Sequence, residues 1–324
     1  MKNIQADIKS GNFKQVYLLY GEEAYLKQQY KQNLVKALNP DGDTMNFNHY
    51  EGKGIDVKQL IDLCETMPFF AERRVVLLED TGFFKNKCEE LADYMKELPD
   101  YLYLVFAETE VDKRNRMYKA VKACGSIAEF IRQDEKTLMR WAAGILGKAG
   151  KKITQRDMEL LLTKTGTDMG NLRMEMEKLI SYTEGRDVVT AEDIEEICTT
   201  QTTNRIFDMV RAVTEKNQKR ALELYYDLLT LKEPPMRILF LLAKQYRQLL
   251  LAKQFAAAGL AQTEIASKLG VPGFVVRNIT TCARAYTISE LEQAVKDFVD
   301  AEESVKTGRL EDKLSVELLI IKYS

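Results

Sequence analysis

Residues 1–137 alternate between two periods of apolar and polar positions. Short apolar runs predict five β-strands, and stretches with apolar residues every three or four positions predict the helices between them. The strands are expected at 16–20, 46–50, 75–78, 102–107 and 127–131, and the helices at 22–38, 56–67, 87–97 and 113–124. Runs such as VVLL and LYLVFA indicate strands covered on both faces. We therefore expect an α/β domain built on a parallel sheet with crossover helices.

The strand signals stop after Gln133, and the pattern that follows is helical. Over 134–203 it predicts several helices separated by glycines, at Gly150, Gly166, Gly170 and Gly185. Thr190, three residues before Asp193, is typical of a helix start. Beyond Ile206 further helices are predicted at 218–231, 235–258, 261–269, 272–284, 288–306 and 310–323. The predicted modules are an α/β domain at 1–137, a small helical domain at 138–205 and a larger helical domain at 206–324.

Length and composition are those of a soluble globular protein with two or three domains. The 324 residues are 45% apolar and 30% charged. The N-terminal stretch has no apolar run suited to a signal peptide, and runs such as 238–243 are far shorter than the roughly 20 residues that span a membrane. We therefore expect a cytoplasmic protein without membrane contact. The five cysteines are scattered and form no C-x-x-C pair, which favours reduced structural thiols over disulfides or a zinc site.

The charge distribution assigns any contact with nucleic acid to the last module. The formal net charge is -2, with 20 basic and 23 acidic side chains in residues 1–137 and 17 basic and 15 acidic in residues 206–324. A global positive field that would attract DNA is therefore absent. The single histidine, His49, has no Cys or Ser partner nearby in the sequence. We interpret it as structural, because general base catalysis needs an acid or nucleophile within reach.

The loop after the first strand is where a doubly wound sheet binds nucleotide phosphates. A phosphate-binding loop has the form G-x-x-x-x-G-K-[ST], in which glycines let the backbone wrap the phosphates and the lysine neutralises them. Here Gly21 is followed by Glu22 and Glu23, which would repel phosphate, and Lys27 is followed by Gln. We interpret both glutamates as first-turn residues of a helix, and we expect no bound nucleotide, cofactor or metal.

Two further polar features have ordinary interpretations beside functional ones. Glu79 and Asp80 end a predicted strand where P-loop ATPases hold magnesium, but without a phosphate cradle solvated loop acids are the better interpretation. Arg173 fits either a buried, sensing arginine or an exposed helical arginine beside Glu175 and Glu177.

Residues 262–279 have the spacing of a helix-turn-helix, with Gly270 in the turn and Val276 on the second helix. A recognition helix needs polar side chains at its N-terminal end to reach base edges. This helix begins Pro-Gly-Phe-Val-Val from Pro272, and Arg277 comes only later. The apolar start favours helix packing, with base recognition as the alternative.

Two adjacent phenylalanines, Phe69 and Phe70, follow Met67 and Pro68 at the entry to the third predicted strand. In a short connection one of two adjacent side chains can enter a core, but both rarely can. Core filling, hydrophobic capping of the preceding helix and an exposed anchor are the alternatives, and packing alone favours the first two. Adjacent aromatics on a loop are, however, typical of protein interfaces, where each fills a pocket on a partner.

Several segments together resemble the family of delta subunits of bacterial DNA polymerase III. They are VYLLYGEEAYL at 16–26, PFFAERRVVLLE at 68–79, Asp112-Lys113-Arg114 after LYLVFA, GNLRMEMEKL at 170–179, NRIFDMVRAV at 204–213, AKQYRQLLLAKQ at 243–254, KLGVPGFVVRN at 268–278 and VKTGRLEDKLSVELLI at 305–320. No single segment is as specific as a zinc signature, but their order and spacing are specific as a set.

The resemblance implies an AAA+-like α/β domain with a degenerate nucleotide site, a helical lid, and a C-terminal helical collar. The collar would join other clamp-loader subunits, of the ATP-binding and delta-prime types. No active site is implied in this chain, although the family is a subunit of a DNA-directed DNA polymerase (nucleotidyltransferase) holoenzyme.

The resemblance also implies a clamp-binding element, an apolar pair that enters a pocket on the sliding clamp and opens its ring for loading onto primed DNA. By motif the pair falls on Phe69 and Phe70, with Met67 and Pro68 beside it. Many members of the family carry Leu-Phe here, so Phe69 departs from the pattern. The competing hypotheses are a DNA-binding regulator that uses 262–279 and an ATPase with an unusual site.

Overall fold

The computed structural model describes residues 2–199, 202–271 and 273–324. The chain divides into two compact units, Met1–Gln133 and Asp134–Ser324. The α/β part of the chain therefore ends at Gln133. The further division of the helical part into a lid at 138–205 and a collar at 206–324 stays a prediction.

The first unit alternates strands and helices along the chain, as predicted. In order its elements are α1 (Lys2–Ser10), β1 (Val16–Tyr20), α2 (Ala24–Leu38), β2 (Phe47–Glu51), α3 (Val57–Glu65), β3 (Arg74–Glu79), α4 (Glu89–Tyr94), β4 (Leu102–Glu108), α5 (Arg116–Cys124) and β5 (Ser126–Glu129). The strands form one parallel sheet in the order β2-β3-β4-β1-β5. Side chains of one face pack with α3, α4 and α5, and those of the other pack with α1 and α2. The predicted α/β domain with a parallel sheet is confirmed.

Several helix boundaries in this unit differ from the prediction, and α4 (Glu89–Tyr94) and α5 (Arg116–Cys124) are shorter than the predicted 87–97 and 113–124. Helix α3 begins after Asp56, whose carboxylate accepts hydrogen bonds from two helix N–H groups, and it ends at Glu65 rather than at Met67. The residue before a proline is driven out of the helical region, so Pro68 stops the helix early. Helix α2 begins at Ala24, so the interpretation of Glu22 and Glu23 as first-turn residues is wrong.

Three elements, one helix and two short strands, have no counterpart in the predicted pattern. Helix α1 packs the fully buried Ile4 into the core beside α2. In the second unit, β6 (Lys152–Ile153) pairs in parallel with β7 (Val188–Val189), so the expectation that strands stop after Gln133 is wrong. Two-residue strands are too short to show a period of two, which is why the pattern gives no sign of them.

The second unit is otherwise helical. Its helices are α6 (Glu135–Lys148), α7 (Gln155–Thr165), α8 (Met169–Tyr182), α9 (Ala191–Ile197), α10 (Thr202–Thr214), α11 (Gln218–Thr230), α12 (Pro235–Ala257), α13 (Gln262–Leu269), α14 (Gly273–Ala283), α15 (Ile288–Lys306) and α16 (Asp312–Tyr323). Thr190 and Asp193 form the predicted capping box of α9. Gly170, predicted to interrupt the helices, instead lies inside α8.

Helices α13 and α14 form the helix-turn-helix-like segment. Gly270 adopts the left-handed conformation in the turn, and Val276 and Ile279 are fully buried in the core of the second unit. Arg277 is exposed. Pro272, predicted as the first residue of the second helix, lies outside the described residues.

No helix in the described part of the chain is both long and apolar enough to cross a membrane.

Candidate functional site

At the carboxyl edge of the sheet, where related folds bind nucleotides, the loop after β1 packs closely against the main chain of Phe130. Gly21 has φ +127°, and a Cβ atom there would lie 2.3 Å from the carbonyl oxygen of Phe130. That same oxygen accepts a hydrogen bond from the N–H of Glu23 at 3.0 Å. The loop therefore lies against the main chain of Phe130, and Gly21 permits this close approach.

The acidic pair at the end of β3 is bound to neighbouring side chains. Glu79 lies 2.6 Å from Lys31 Nζ and 2.9 Å from His49 Nε2. Asp80 accepts from the N–H and the hydroxyl of Thr109 at 2.9 and 2.8 Å. The interpretation as solvated loop acids is wrong for Glu79, because this residue ends β3 and pairs with Lys31 and His49. Sequence spacing carries no sign that these two side chains converge on it.

Two further charged groups at this edge are held by protein contacts. Glu108 is buried and accepts from the N–H and hydroxyl of Thr81 at 3.1 and 2.6 Å. Burial raises the pKa of the Glu108 carboxyl, against the hydrogen bonds from Thr81 that lower it. Lys27 Nζ donates to the main-chain oxygen of Glu108 at 2.9 Å, and burial lowers the pKa of this ammonium group. The charged groups described at this edge are thus engaged by other groups of the protein.

No group of three or more His, Cys, Asp or Glu side chains suited to a metal ion occurs within the residues that the structure describes.

The opposite, amino edge of the sheet carries the apolar loop 66–73, which leads from α3 into β3. Met67 is 75% exposed, Phe69 57% and Phe70 95%, while Pro68 is half-buried. Neither phenylalanine fills the core of the first unit, so the core-filling alternative is wrong, while hydrophobic capping of α3 is not tested by these exposures. The two rings pack edge to face, with centroids 4.5 Å apart.

Phe70 has an unusual backbone conformation, with φ +50°. The left-handed region costs an L-residue about 1–2 kcal/mol relative to the right-handed one. Such strain persists where the surrounding structure over-determines the conformation, and it is frequent at functional sites. The loop therefore presents Phe70 in a conformation that its own side chain does not favour.

Arg74, the first residue of β3, holds the start of this loop through hydrogen bonds from its guanidinium group. Its guanidinium donates from Nε to the carbonyl oxygen of Thr66 at 2.9 Å and from Nη1 to the Asn48 side chain at 3.1 Å. A longer contact, 3.4 Å, joins Nη2 to the carbonyl oxygen of Met67. Arg74 is 5% exposed, so the planar donor set of arginine is used inside the fold.

Asn46, in the turn before β2, holds the centre of the loop. Its Oδ1 accepts from the N–H of Phe69 at 2.6 Å, and its Nδ2 donates to the oxygen of Phe69 at 2.8 Å. The neighbouring Met45 is 65% exposed and adds a further apolar side chain to the turn that carries Asn46. Sequence reasoning missed Asn46, Arg74 and Met45, because nothing in a single sequence signals that two loops meet at this edge.

The remaining polar candidates have structural surroundings. Arg173 on α8 is partly exposed and pairs with Glu177 at 2.7 Å, as expected for an ordinary helical arginine. All five cysteines are unpaired, and all except Cys124 are buried. Burial raises the pKa of the Cys64 thiol in α3 to about 12, so this thiol stays protonated at neutral pH.

A five-stranded parallel sheet in this order, with helices on both faces and with its carboxyl edge beside β1 engaged by the protein's own groups, defines an α/β domain, and a helical unit follows it. Two models of one family match the chain: "DNA polymerase III, delta subunit" over residues 17–130, and "DNA polymerase III delta subunit, C-terminal domain" over residues 203–323. The chain belongs to the family of DNA polymerase III delta subunits.

Individual relatives agree with the family assignment. DNA polymerase III subunit delta of Bacillus subtilis (strain 168) is 26% identical over 333 aligned residues, covering 99% of this chain and 96% of that protein. The probable DNA polymerase III subunit delta of Aquifex aeolicus (strain VF5) is 22% identical over 270 aligned residues, covering 79% of this chain and 75% of that protein. Among solved structures, the Bacillus subtilis DNA clamp loader delta protein has a TM-score of 0.67 at 24% identity, covering 99% of this chain and 98% of that one. The similar fold extends over nearly the whole chain.

Proposed function

We propose that this chain is the clamp-opening subunit of a DNA polymerase III clamp loader. In this role the loop 66–73 binds a sliding clamp through Phe69 and Phe70, with Met67 and Pro68 at the margin of the contact. Binding destabilises the closed ring, which is then loaded onto primed DNA within the assembled loader. The chain itself hydrolyses no ATP.

The observation that carries this proposal is the exposure of Phe70 on a loop whose main chain is held in place. A 95% exposed phenylalanine with a φ of +50° contributes little to the core, so its ring is available to a partner. Aromatic anchors of this kind account for a large share of the energy in many protein interfaces. The family membership supplies the partner, because the related Bacillus subtilis protein is a clamp loader component by name.

Ring opening has a simple energetic form. A subunit that binds the open ring more tightly than the closed ring shifts the equilibrium by the difference in binding free energy. Phe69 and Phe70 provide affinity for the clamp, and contacts available only in the open ring provide the difference. No covalent chemistry is required of this chain.

The state of the carboxyl edge supports a division of labour in which partner subunits bind ATP. Glu79 is paired with Lys31 and His49, and Gly21 lies against the main chain of Phe130. A nucleotide bound there would have to displace these contacts and tolerate Glu22 and Glu23 near its phosphates.

The C-terminal helix supports assembly with other loader subunits through the predicted collar. Leu314, Leu318 and Ile321 on α16 are each more than 40% exposed, and their spacing places them on one helical face. Tyr226 on α11 is also exposed, and its hydroxyl lies 3.0 Å from Glu317 on α16. An exposed apolar face of this kind fits a neighbouring helical subunit of the ATP-binding or delta-prime type.

The proposal is tested by measuring binding of the full-length chain to the sliding clamp of the same organism by surface plasmon resonance. Phe69→Ala combined with Phe70→Ala is expected to weaken binding at least tenfold, because about 1.4 kcal/mol or more is lost when an anchor is removed. Ring opening is measured in parallel as the rate at which the chain releases clamps already closed around circular DNA.

Phe240→Ala is the matched control, since Phe240 is a 61% exposed phenylalanine on α12 in the second unit. It is expected to leave clamp affinity unchanged. Unchanged affinity in the Phe69 and Phe70 double variant, with its fold intact by circular dichroism, would contradict the proposal.

A further inference from the structure

We infer that Asn46 is a positioning residue for the clamp-binding loop, acting through the main chain of Phe69 to hold Phe70 in its exposed conformation. This inference rests on the proposed function and identifies a second segment of the chain, the turn before β2, as part of the same element. Asn46 lies 23 positions before Phe69 and does not belong to the loop itself.

Two paired hydrogen bonds join the side chain of Asn46 to the main chain of Phe69. The amide of Asn46 accepts from the N–H of Phe69 and donates to the oxygen of the same residue, as a neighbouring β-strand would. A side chain that offers one acceptor and two donors can make both bonds, whereas a carboxylate offers no donor and alanine offers neither. Asn46 is 3% exposed, so water does not compete readily for these groups.

Asn46 is itself held in place by neighbouring groups. Its Nδ2 also donates to Asp43 Oδ2 at 2.5 Å, and its main-chain oxygen accepts from the N–H of Val75 at 2.9 Å. The hydrogen bond from Asn46, together with one from the N–H of Met45, lowers the pKa of Asp43 below its usual value. Asn46 is therefore held by two residues outside the loop, and Asp43 sets the orientation of its amide.

The residue after Phe69, Phe70, is the strained residue of the loop. Phe70 keeps a positive φ only if its neighbours prevent relaxation to a more favourable region. The two bonds fix the peptide units on both sides of Phe69, and the second of these units leads into Phe70. Without them Phe70 would relax and its ring would change direction, so the chain would have to order the loop on binding the clamp, at a cost in affinity.

The test is a double-mutant cycle on the full-length chain, with affinity for the sliding clamp measured by surface plasmon resonance. Asn46→Ala is expected to weaken binding about fivefold or more when Phe70 is present, and less than twofold when Phe70 is already alanine. An unchanged affinity of Asn46→Ala, or the same loss in both backgrounds, would overturn the inference.

Amide hydrogen exchange provides a readout at the site. The N–H of Phe69 is expected to exchange faster in Asn46→Ala than in the unaltered chain, because its acceptor is gone. Asn115→Ala is the matched control, since Asn115 also bonds main-chain groups, capping α5 and donating to the oxygen of Asn86 at 2.9 Å. This control is expected to lower stability without changing Phe69 exchange or clamp affinity, and a change in either would overturn the inference.

If Asn46→Ala fails to fold, Asn46→Asp replaces it, because aspartate keeps the acceptor for Phe69 N–H and removes both donors. We expect at least a twofold loss of affinity, and an affinity equal to that of the unaltered chain would overturn the inference. The two levels of proposal stay separable. Normal binding by Phe70→Ala removes the proposed function, whereas weakened binding by Phe70→Ala with normal binding by both Asn46 variants removes only the role of Asn46.

Discussion

Arg74 Nε donates to the main-chain oxygen of Thr66 at 2.9 Å, and this bond joins the first residue of a buried strand to the first residue of an exposed loop. This strand, β3, is paired on both sides, with β2 and with β4. The loop is therefore anchored to a strand that is fixed within the sheet. Side chains that must enter a pocket on another protein lose less entropy on binding when their support is fixed in advance.

Arg74→Lys is expected to lower the free energy of unfolding by about 1–3 kcal/mol, because a lysine ammonium cannot reproduce the planar set of donors to Thr66, Asn48 and Met67. Urea denaturation measures this change, and clamp affinity is expected to fall with it. Arg73→Lys is the control, since Arg73 is the last residue of the loop but its guanidinium lies over the rings of Phe13 and Tyr103. Equal effects of the two substitutions on clamp affinity would contradict the assigned role of Arg74.

The two phenylalanines are expected to contribute unequally to clamp binding. Phe70 is 95% exposed and Phe69 is 57% exposed, so more of the Phe70 ring is available to a pocket. Phe70→Ala is expected to weaken clamp binding tenfold or more, and Phe69→Ala by a smaller factor. Isothermal titration of each single variant separates them, and a larger loss for Phe69→Ala would reverse the order.

Phe70→Gly is expected to give a more stable fold than Phe70→Ala, although both variants lose the aromatic ring that is proposed to bind the clamp. Phe70→Ala retains the cost of a positive φ, but Phe70→Gly does not, so the glycine variant should be more stable than the alanine variant by about 1 kcal/mol. Thermal unfolding of the two variants measures the difference, and both are expected to bind the clamp weakly. Equal stabilities would show that residue 70 carries no backbone strain.

Glu108→Gln is expected to raise stability at neutral pH. Burial raises the pKa of Glu108 above 4.5, the usual pKa of a glutamate, so the folded chain binds a proton more readily than the unfolded chain. The contribution of this group to stability therefore falls as the pH rises above 4.5. The advantage of glutamine should be largest near pH 7 and should shrink as the pH is lowered towards 4.5.

Urea denaturation at several pH values tests this dependence. Glu110→Gln is the control, because Glu110 is exposed and its pKa is lowered by Lys85, so no gain at pH 7 is expected there. A Glu108→Gln advantage that does not change with pH would exclude titration of this carboxyl as its cause.

Gly21→Ala is expected to destabilise the first unit by about 2 kcal/mol or more, because the new Cβ would clash with the oxygen of Phe130 at a positive φ. Gly54→Ala isolates the backbone part of this cost, since Gly54 has φ +96° and a Cβ there would meet no other atom within 4 Å. Gly21→Ala should be clearly the more damaging in thermal unfolding. Similar costs would mean that close packing against Phe130 does not explain this glycine.

The sequence predicted local features of the fold well and long-range ones poorly. Apolar runs such as VVLL and LYLVFA identified β3 and β4, because complete burial leaves a continuous apolar pattern. The position of β1 between β4 and β5 depends on pairs such as Val16 with Leu104, which are far apart in the sequence and leave no periodic signal. The same reason hid the convergence of Lys31 and His49 on Glu79.

The candidate site was predicted in part. Phe69 and Phe70 were identifiable as an adjacent aromatic pair. Packing arguments favoured a position in the core or at the end of the preceding helix, whereas the placement of two aromatics on a loop and the family resemblance favoured exposure. Asn46 and Arg74 carried no signal, because a buried asparagine and a buried arginine are recognised by the groups they bind, and those groups here are mostly main-chain atoms.

The hold on this loop through main-chain atoms has a consequence for how it can change. The bonds from Asn46 and Arg74 reach Thr66, Met67 and Phe69 through backbone groups and do not depend on which side chains those positions carry. The exposed side chains at 67, 69 and 70 can therefore be exchanged while the main chain of the loop stays held. We expect that new side chains at these three positions would direct the loop to a different sliding clamp, with Asn46 and Arg74 left unchanged.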